Sequence, residues 1–180
     1  GVEDIDVTES VQIGGAETVV RHVDASENTY TIGGATMGGQ IHLVAGSDTL
    51  SDDDWSGIVL NGWLCGATIA QWDAVYLDDT TNEWAIADAD LAGTFPARGL
   101  AIAACTDGNP GVILVQGVIR NDAWTWAANG STLFLSDTGT GSSWTVTAPS
   151  TTGDAVQIIG FTINDDQAYF NFAGHYLEVE

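Results

Sequence analysis

Residues 73–120 constrain the fold most. Small or apolar residues alternate with polar ones (DAVYLDD, NEWAIADAD, ARGLAIAAC), Asp, Asn or Gly clusters cut each run, and the stretch closes on the strongest apolar run of the chain, residues 112–119. Alternation with a period of two belongs to strands, whose successive side chains point to opposite faces. Helix signals are poor, because Gly, Thr and β-branched residues are scattered throughout and no long window joins helical periodicity to end caps. Only residues 85–92 (AIADADLA) suit a helix, and one turn is expected there. Many short strands between turn signals predict an all-β fold, an antiparallel sandwich or barrel-like form.

The same phrases come twice. Ser131-Thr-Leu-Phe-Leu-Ser-Asp-Thr echoes Asp73-Ala-Val-Tyr-Leu-Asp-Asp-Thr, Trp144-Thr-Val-Thr echoes Trp84-Ala-Ile-Ala, and Ile159-Gly-Phe-Thr-Ile echoes Leu100-Ala-Ile-Ala-Ala. The spacing predicts an internal repeat of roughly 60 residues, with related halves at about 70–120 and 128–174. Each copy reads as two short strands followed by a hairpin, turning at residues 106–111 in the first and 164–167 in the second. Gly, Pro, Asn and Asp at both places are turn formers. Ahead of this β-domain (residues 66–180) lie an acidic arm (1–16) and an N-terminal β-region (17–65) with candidate strands at 18–23, 28–32, 40–44 and 58–65.

Charge narrows the function. Twenty-five acidic residues face three basic ones, Arg21, Arg98 and Arg120, for a net charge of -22 and no lysine. Phosphate contacts need cations, so nucleic acid is excluded as a partner, and docking on anionic lipid with it. Such a chain repels itself unless salt or divalent cations screen it. It suits salty or metal-rich surroundings outside a cell or a basic partner, and solubility alone explains it equally well. No apolar run is long enough to span a membrane, and no basic segment leads into an apolar one as in a secretory signal.

Chemistry is harder to find. The clusters Asp52-Asp53-Asp54, Asp78-Asp79, Asp88/Asp90 and Asp165-Asp166 could give oxygen ligands to Ca²⁺, although none fits an EF-hand and each also reads as a solvated turn. Carboxylate pairs are too numerous to mark a glycosidase. No G-x-S-x-G elbow is present. His22, His42 and His175 are far apart, and Cys105 has no basic neighbour in sequence to activate it. No catalytic residues are assigned and no cofactor beyond Ca²⁺ is suggested. Cys65 and Cys105 could form a disulfide if their Cα atoms lie within about 7 Å, or stay as buried thiols.

Tryptophan is the other candidate. Trp124 and Trp126 stand two apart in a DAWTW phrase, so in a strand both would point to one face and, with Asn121 and Asp122, could contact a partner or stack on a sugar. Core packing explains the pair equally well. Trp84 and Trp144, at echoed positions, read as sharing a core role.

Residues 66–180 resemble the β-rich proteins on the outside of tailed, bacteriophage-like viruses, namely head-decoration proteins and tail- or head-fibre domains. The likeness is carried by Asp73-Ala-Val-Tyr-Leu, Ala97-Arg-Gly-Leu-Ala-Ile-Ala-Ala, Gly111-Val-Ile-Leu-Val-Gln-Gly-Val-Ile-Arg, Ala128-Asn-Gly-Ser-Thr-Leu-Phe-Leu-Ser-Asp-Thr-Gly and Val156-Gln-Ile-Ile-Gly-Phe. It implies a compact β-domain without catalytic residues that assembles on a capsid lattice or as a trimer, on a virion surface or otherwise outside a cell. The expected function is therefore structural and non-enzymatic: capsid decoration and stabilisation through contacts with its own subunits and with major capsid or other virion proteins. The arm could add a strand to a neighbour's edge. The alternatives are a fibre, receptor-binding or glycan-binding adhesin domain, and a self-assembling filament or surface-layer subunit.

Overall fold

The structure, a computed structural model, describes residues 22–24, 29–31, 50–126, 128–138 and 143–180. The chain divides into two units, Gly1–His42 and Leu43–Glu180. In the first, β1 (His22–Asp24) and β2 (Thr29–Thr31) pair antiparallel with His22 opposite Thr31. The acidic arm and the candidate strand at 40–44 lie outside the described residues.

The second unit is built from β3 (Trp55–Leu64), β4 (Ala74–Leu77), β5 (Trp84–Ile86), β6 (Gly99–Ala101), β7 (Pro110–Arg120), β8 (Thr132–Leu135), β9 (Trp144–Thr145), β10 (Ala155–Val156), β11 (Ile158–Thr162), β12 (Gln167–Asn171) and β13 (Leu177–Glu178). Among the described residues there is no helix. Nine of these strands form one antiparallel sheet in the order β5-β4-β6-β7-β12-β11-β8-β9, with β3 added to β7, and the sheet curls into a half-barrel. β10 and β13 make a separate two-stranded piece.

β7 is the spine. One of its edges is shared, with β6 pairing at Leu114 and β12 pairing at Gly117, while β3 runs along the whole of the other edge. Its long apolar run follows from burial on both faces, where no polar alternation is needed. Where β3 and β7 cross, Gly57 faces Gly117, and a Cβ on Gly57 would lie 2.7 Å from the Gly117 Cα. Only glycine permits that approach.

Two cores form on opposite faces. The larger, inside the curl, joins Ala74, Leu100, Leu114 and Ile119 to Leu133, Leu135, Trp144, Ile159 and Phe170. The smaller, on the outer face of β4, β6 and β7, joins Val75, Trp84, Ala101 and Ile113 to Cys65, Ile69 and Cys105. Segment 65–72 closes over it, held by backbone bonds from Cys65 to Asn109 and between Ile69 and Cys105. A disulfide joins Cys65 to Cys105, with Cα atoms 6.5 Å apart.

The echoed phrases match in one ladder and not in the next: Leu77 is opposite Trp84 and Leu135 opposite Trp144, but Val75 is opposite Gly99 while Leu133 is opposite Gly160, which echoes Ala101 and not Gly99. Their environments agree at one echoed pair, Leu100 and Ile159, both in the inner core, and differ at others. Val75 and Trp84 point into the outer core, whereas Leu133 and Trp144 point into the inner one. With a period of two, a single residue of offset exchanges every inward and outward side chain. Trp84 and Trp144 are both buried, but in separate cores.

The single helical turn expected within 85–92 is absent. β5 occupies its start, and beyond it Ala87 donates to the Ala74 carbonyl, Ala89 to Ser136, and Ala155 to the Ala89 carbonyl. Those alanines are fully buried. Packing between the two arms of the curled sheet takes the backbone bonds that a helix would have used. The Ala74 amide also donates to Ser143 Oγ at 2.5 Å, closing the same seam.

Candidate functional site

The acidic loops are brought together around an arginine. Arg120, the last residue of β7, directs Nε at Asp122 Oδ1 (2.8 Å) and Asp166 Oδ2 (3.2 Å), and Nη1 donates to the Leu50 carbonyl at 2.9 Å. Hydrogen bonding to Asp122 comes first among the causes that raise the guanidinium pKa above its ordinary value, followed among the raising effects by the charges of Asp122, Asp166 and Asp52. Asp52 accepts from the Asp122 amide (2.8 Å), Asp53 from the Asn121 side chain (2.6 Å), and Asp54 from the Trp55 amide (2.9 Å). On the other side, the Asn121 and Trp126 amides donate to the carbonyls of Asp166 and Asp165. The bridge at 121–126 is thus sewn to two acidic turns.

In this arrangement the acidic turns are engaged by groups of the chain itself. Among the described residues, no three His, Cys, Asp or Glu side chains gather in a way that could hold a metal ion. The carboxylates of Asp52, Asp53 and Asp54 accept from neighbouring groups, while Asp166 joins Asp122 on the arginine, a permanent cation. Asp78 is likewise occupied: it accepts from the amides of Thr80 (2.9 Å) and Thr81 (2.8 Å), which hold its carboxyl below the usual range, the Thr81 bond first. That is an Asx turn closing β4 to β5. Asp79 stays exposed beside it.

Trp124 and Trp126 do not lie in a strand. Residues 121–126 turn, with Trp124 N bonded to the Asn121 carbonyl, and the two indoles meet at 5.6 Å because the turn folds them together. Both lie against Trp144 (5.1 and 5.3 Å), and Trp124 also meets Trp72 edge-on. Trp144 continues to Phe170 and donates Nε1 to the Trp72 carbonyl at 2.8 Å. The pair is half-buried against the inner core. Asp122 remains exposed. His175 is exposed, and the side chains of His22 and His42 lie outside the described residues.

Two surface features were missed in the sequence. The first is the outer strand β3: Ile58, Leu60, Trp63 and Leu64 are exposed, Ile58 at 45% and Trp63 at 46%. The ten residues of β3 carry no charge, and among the described residues β7 is its only ladder partner. An uncharged decapeptide in so acidic a chain was a readable signal. The second is a shallow hollow of about 300 Å³ lined by Tyr76, Leu77, Asp79, Gly93, Phe95, Pro96 and Arg98. It joins residues from β4 and from the loop before β6, which no local spacing connects.

Comparison with known proteins gives no matching family, no matching characterised protein and no matching solved structure.

Proposed function

We propose that this protein is a non-enzymatic structural component of a virion's outer surface, one that decorates and stabilises a capsid through contacts between its own copies and with capsid proteins. One observation carries the reading: a long, uncharged strand with exposed apolar side chains lies along the outside of a chain of net charge -22. Natural sheets blunt such edges with charge unless something covers them. An apolar strip free of carboxylates is where two copies can meet without bringing like charges together. The buried disulfide supports a place outside the reducing cytosol.

Light scattering of the purified protein, before and after mixing with undecorated capsids, tests this. Self-association, or capsid binding that Ile58→Asp with Leu60→Asp abolishes, is the expected result. A monomer at high concentration that leaves capsids unbound would sink the proposal.

A further inference from the structure

We infer that the hollow at Arg98 is a binding site for a neutral sugar, a pyranose unit of a glycan. The inference starts from a contrast between two arginines. Arg120 is engaged by two carboxylates at Nε and a carbonyl at Nη1. The Arg98 side chain, in the same acidic chain, makes no hydrogen bond or ion pair among the described residues. Its guanidinium lies beside Gly174, where a Cβ would meet Nη1, and Gly174 has φ +73°, a conformation suited to glycine.

The surroundings select the ligand. Phe95 and Pro96 with Tyr76 supply apolar wall, and Phe95 is braced edge-on by Tyr176 at 5.0 Å. Asp79 lines the same hollow. A guanidinium that only donates and a carboxylate that only accepts, beside aromatic surface, match a ring with hydroxyls on its rim and C–H groups on its face. A carboxylate ligand would gain Arg98 but meet Asp79 and the neighbouring Asp78, within a protein of net charge -22. The volume, about 300 Å³, is at the small end for ligand sites and suits one or two rings. This inference stands apart from the capsid reading, since it uses none of β3.

Saturation-transfer NMR on the whole chain tests it, with methyl glycosides of glucose, galactose, mannose and N-acetylglucosamine, and with glucuronate and sialic acid. At least one neutral glycoside is expected to show transfer. Arg98→Gln and Asp79→Asn should each weaken it about tenfold, the loss of one charge-assisted hydrogen bond. Thermal unfolding of both variants, whose changed side chains are exposed, should match the parent. The inference is overturned by silence from every neutral glycoside, by preference for the acidic sugars, or by binding that both folded variants retain.

Discussion

Gln157 and Ala97 hold each other by two reciprocal hydrogen bonds: the Ala97 amide donates to Oε1 at 2.7 Å, and Nε2 donates to the Ala97 carbonyl at 2.9 Å. Both residues are completely buried. A side-chain amide here imitates a strand partner and fastens the loop before β6 to the link between β10 and β11. Gln157→Leu would fill the space but strand an amide and a carbonyl away from water. The expected loss is about 2 to 4 kcal/mol, measured by urea unfolding. A loss near zero would mean that water reaches Ala97.

The indoles differ in a way that can be measured. Trp144 Nε1 has its acceptor, whereas the buried Nε1 atoms of Trp84 and Trp126 have no hydrogen-bond partner among the described residues. Phenylalanine at 84 or 126 removes a stranded donor along with some apolar area, so each change should cost less than about 1 kcal/mol. Trp144→Phe also strips the Trp72 carbonyl of its donor and should cost about 1 to 2 kcal/mol more. Denaturant midpoints of the three variants give the ranking, and an equal cost for all three would refute it.

The disulfide closes a loop with a sequence separation of 40. Chain entropy alone assigns such a crosslink about 3 to 4 kcal/mol. Cys65→Ser with Cys105→Ser should lose that much and make segment 65–72 more open to proteolysis, its backbone bonds to Trp84, Ala101, Cys105 and Asn109 then holding it without the crosslink. Cys65 is wholly buried and Cys105 nearly so. Reductant should therefore act slowly on the native protein and quickly once it is unfolded.

The all-β class was legible because alternation and turn residues are local properties, and the hairpins at 106–111 and 164–167 follow from them. The faces were not legible. The echo matches Leu77 opposite Trp84 with Leu135 opposite Trp144 but not the partners of Val75 and Leu133, and burial on one side or the other depends on how the sheet curls and on what 65–72 covers. The helix-compatible 85–92 was claimed by long-range partners, Ala74, Ser136 and Ala155, that no local pattern reveals. The acidic turns were visible as clusters, but their meeting at Arg120 needs residues about 70 apart in sequence, the distance over which Leu50 and Arg120 meet. Arg98 was visible only as a rare cation, and its lack of a partner belongs to the tertiary structure alone.

Arg120→Gln removes the charge that reconciles Asp52, Asp122 and Asp166. The three carboxylates would then repel one another across an exposed rim. The variant should melt below the parent at low ionic strength, and most of the difference should vanish in high salt, which screens exposed charges. Ca²⁺ should raise the melting temperature of the variant more than that of the parent, because it alone lacks a resident cation. Scans at low salt, high salt and with Ca²⁺ decide this, and a salt-independent deficit would show that the arginine acts through packing instead.

Asp78 and Tyr76 give the fold two opposite pH edges at one turn. The amides of Thr81 and Thr80 lower the Asp78 pKa from its ordinary 3.8, so the native state holds that proton less tightly than the unfolded chain does. Its contribution is complete above the unfolded value and is lost as pH falls through the lower native one. Burial, then the charge of Asp78 and the long Tyr76–Asp78 contact of 3.5 Å, raise the Tyr76 phenol from 10.0. The native state therefore holds that proton more tightly, and stability present below 10.0 is lost as pH climbs from there through the raised value. Asp78→Asn should flatten the acid edge by this turn's share and also weaken the alkaline one, because Tyr76 would lose its charged neighbour. Tyr76→Phe should remove only the alkaline edge. Urea midpoints across both pH ranges for the parent and the two variants test the coupling, and an alkaline edge unchanged in Asp78→Asn would show that burial and the Asp79 charge hold the phenol proton without Asp78.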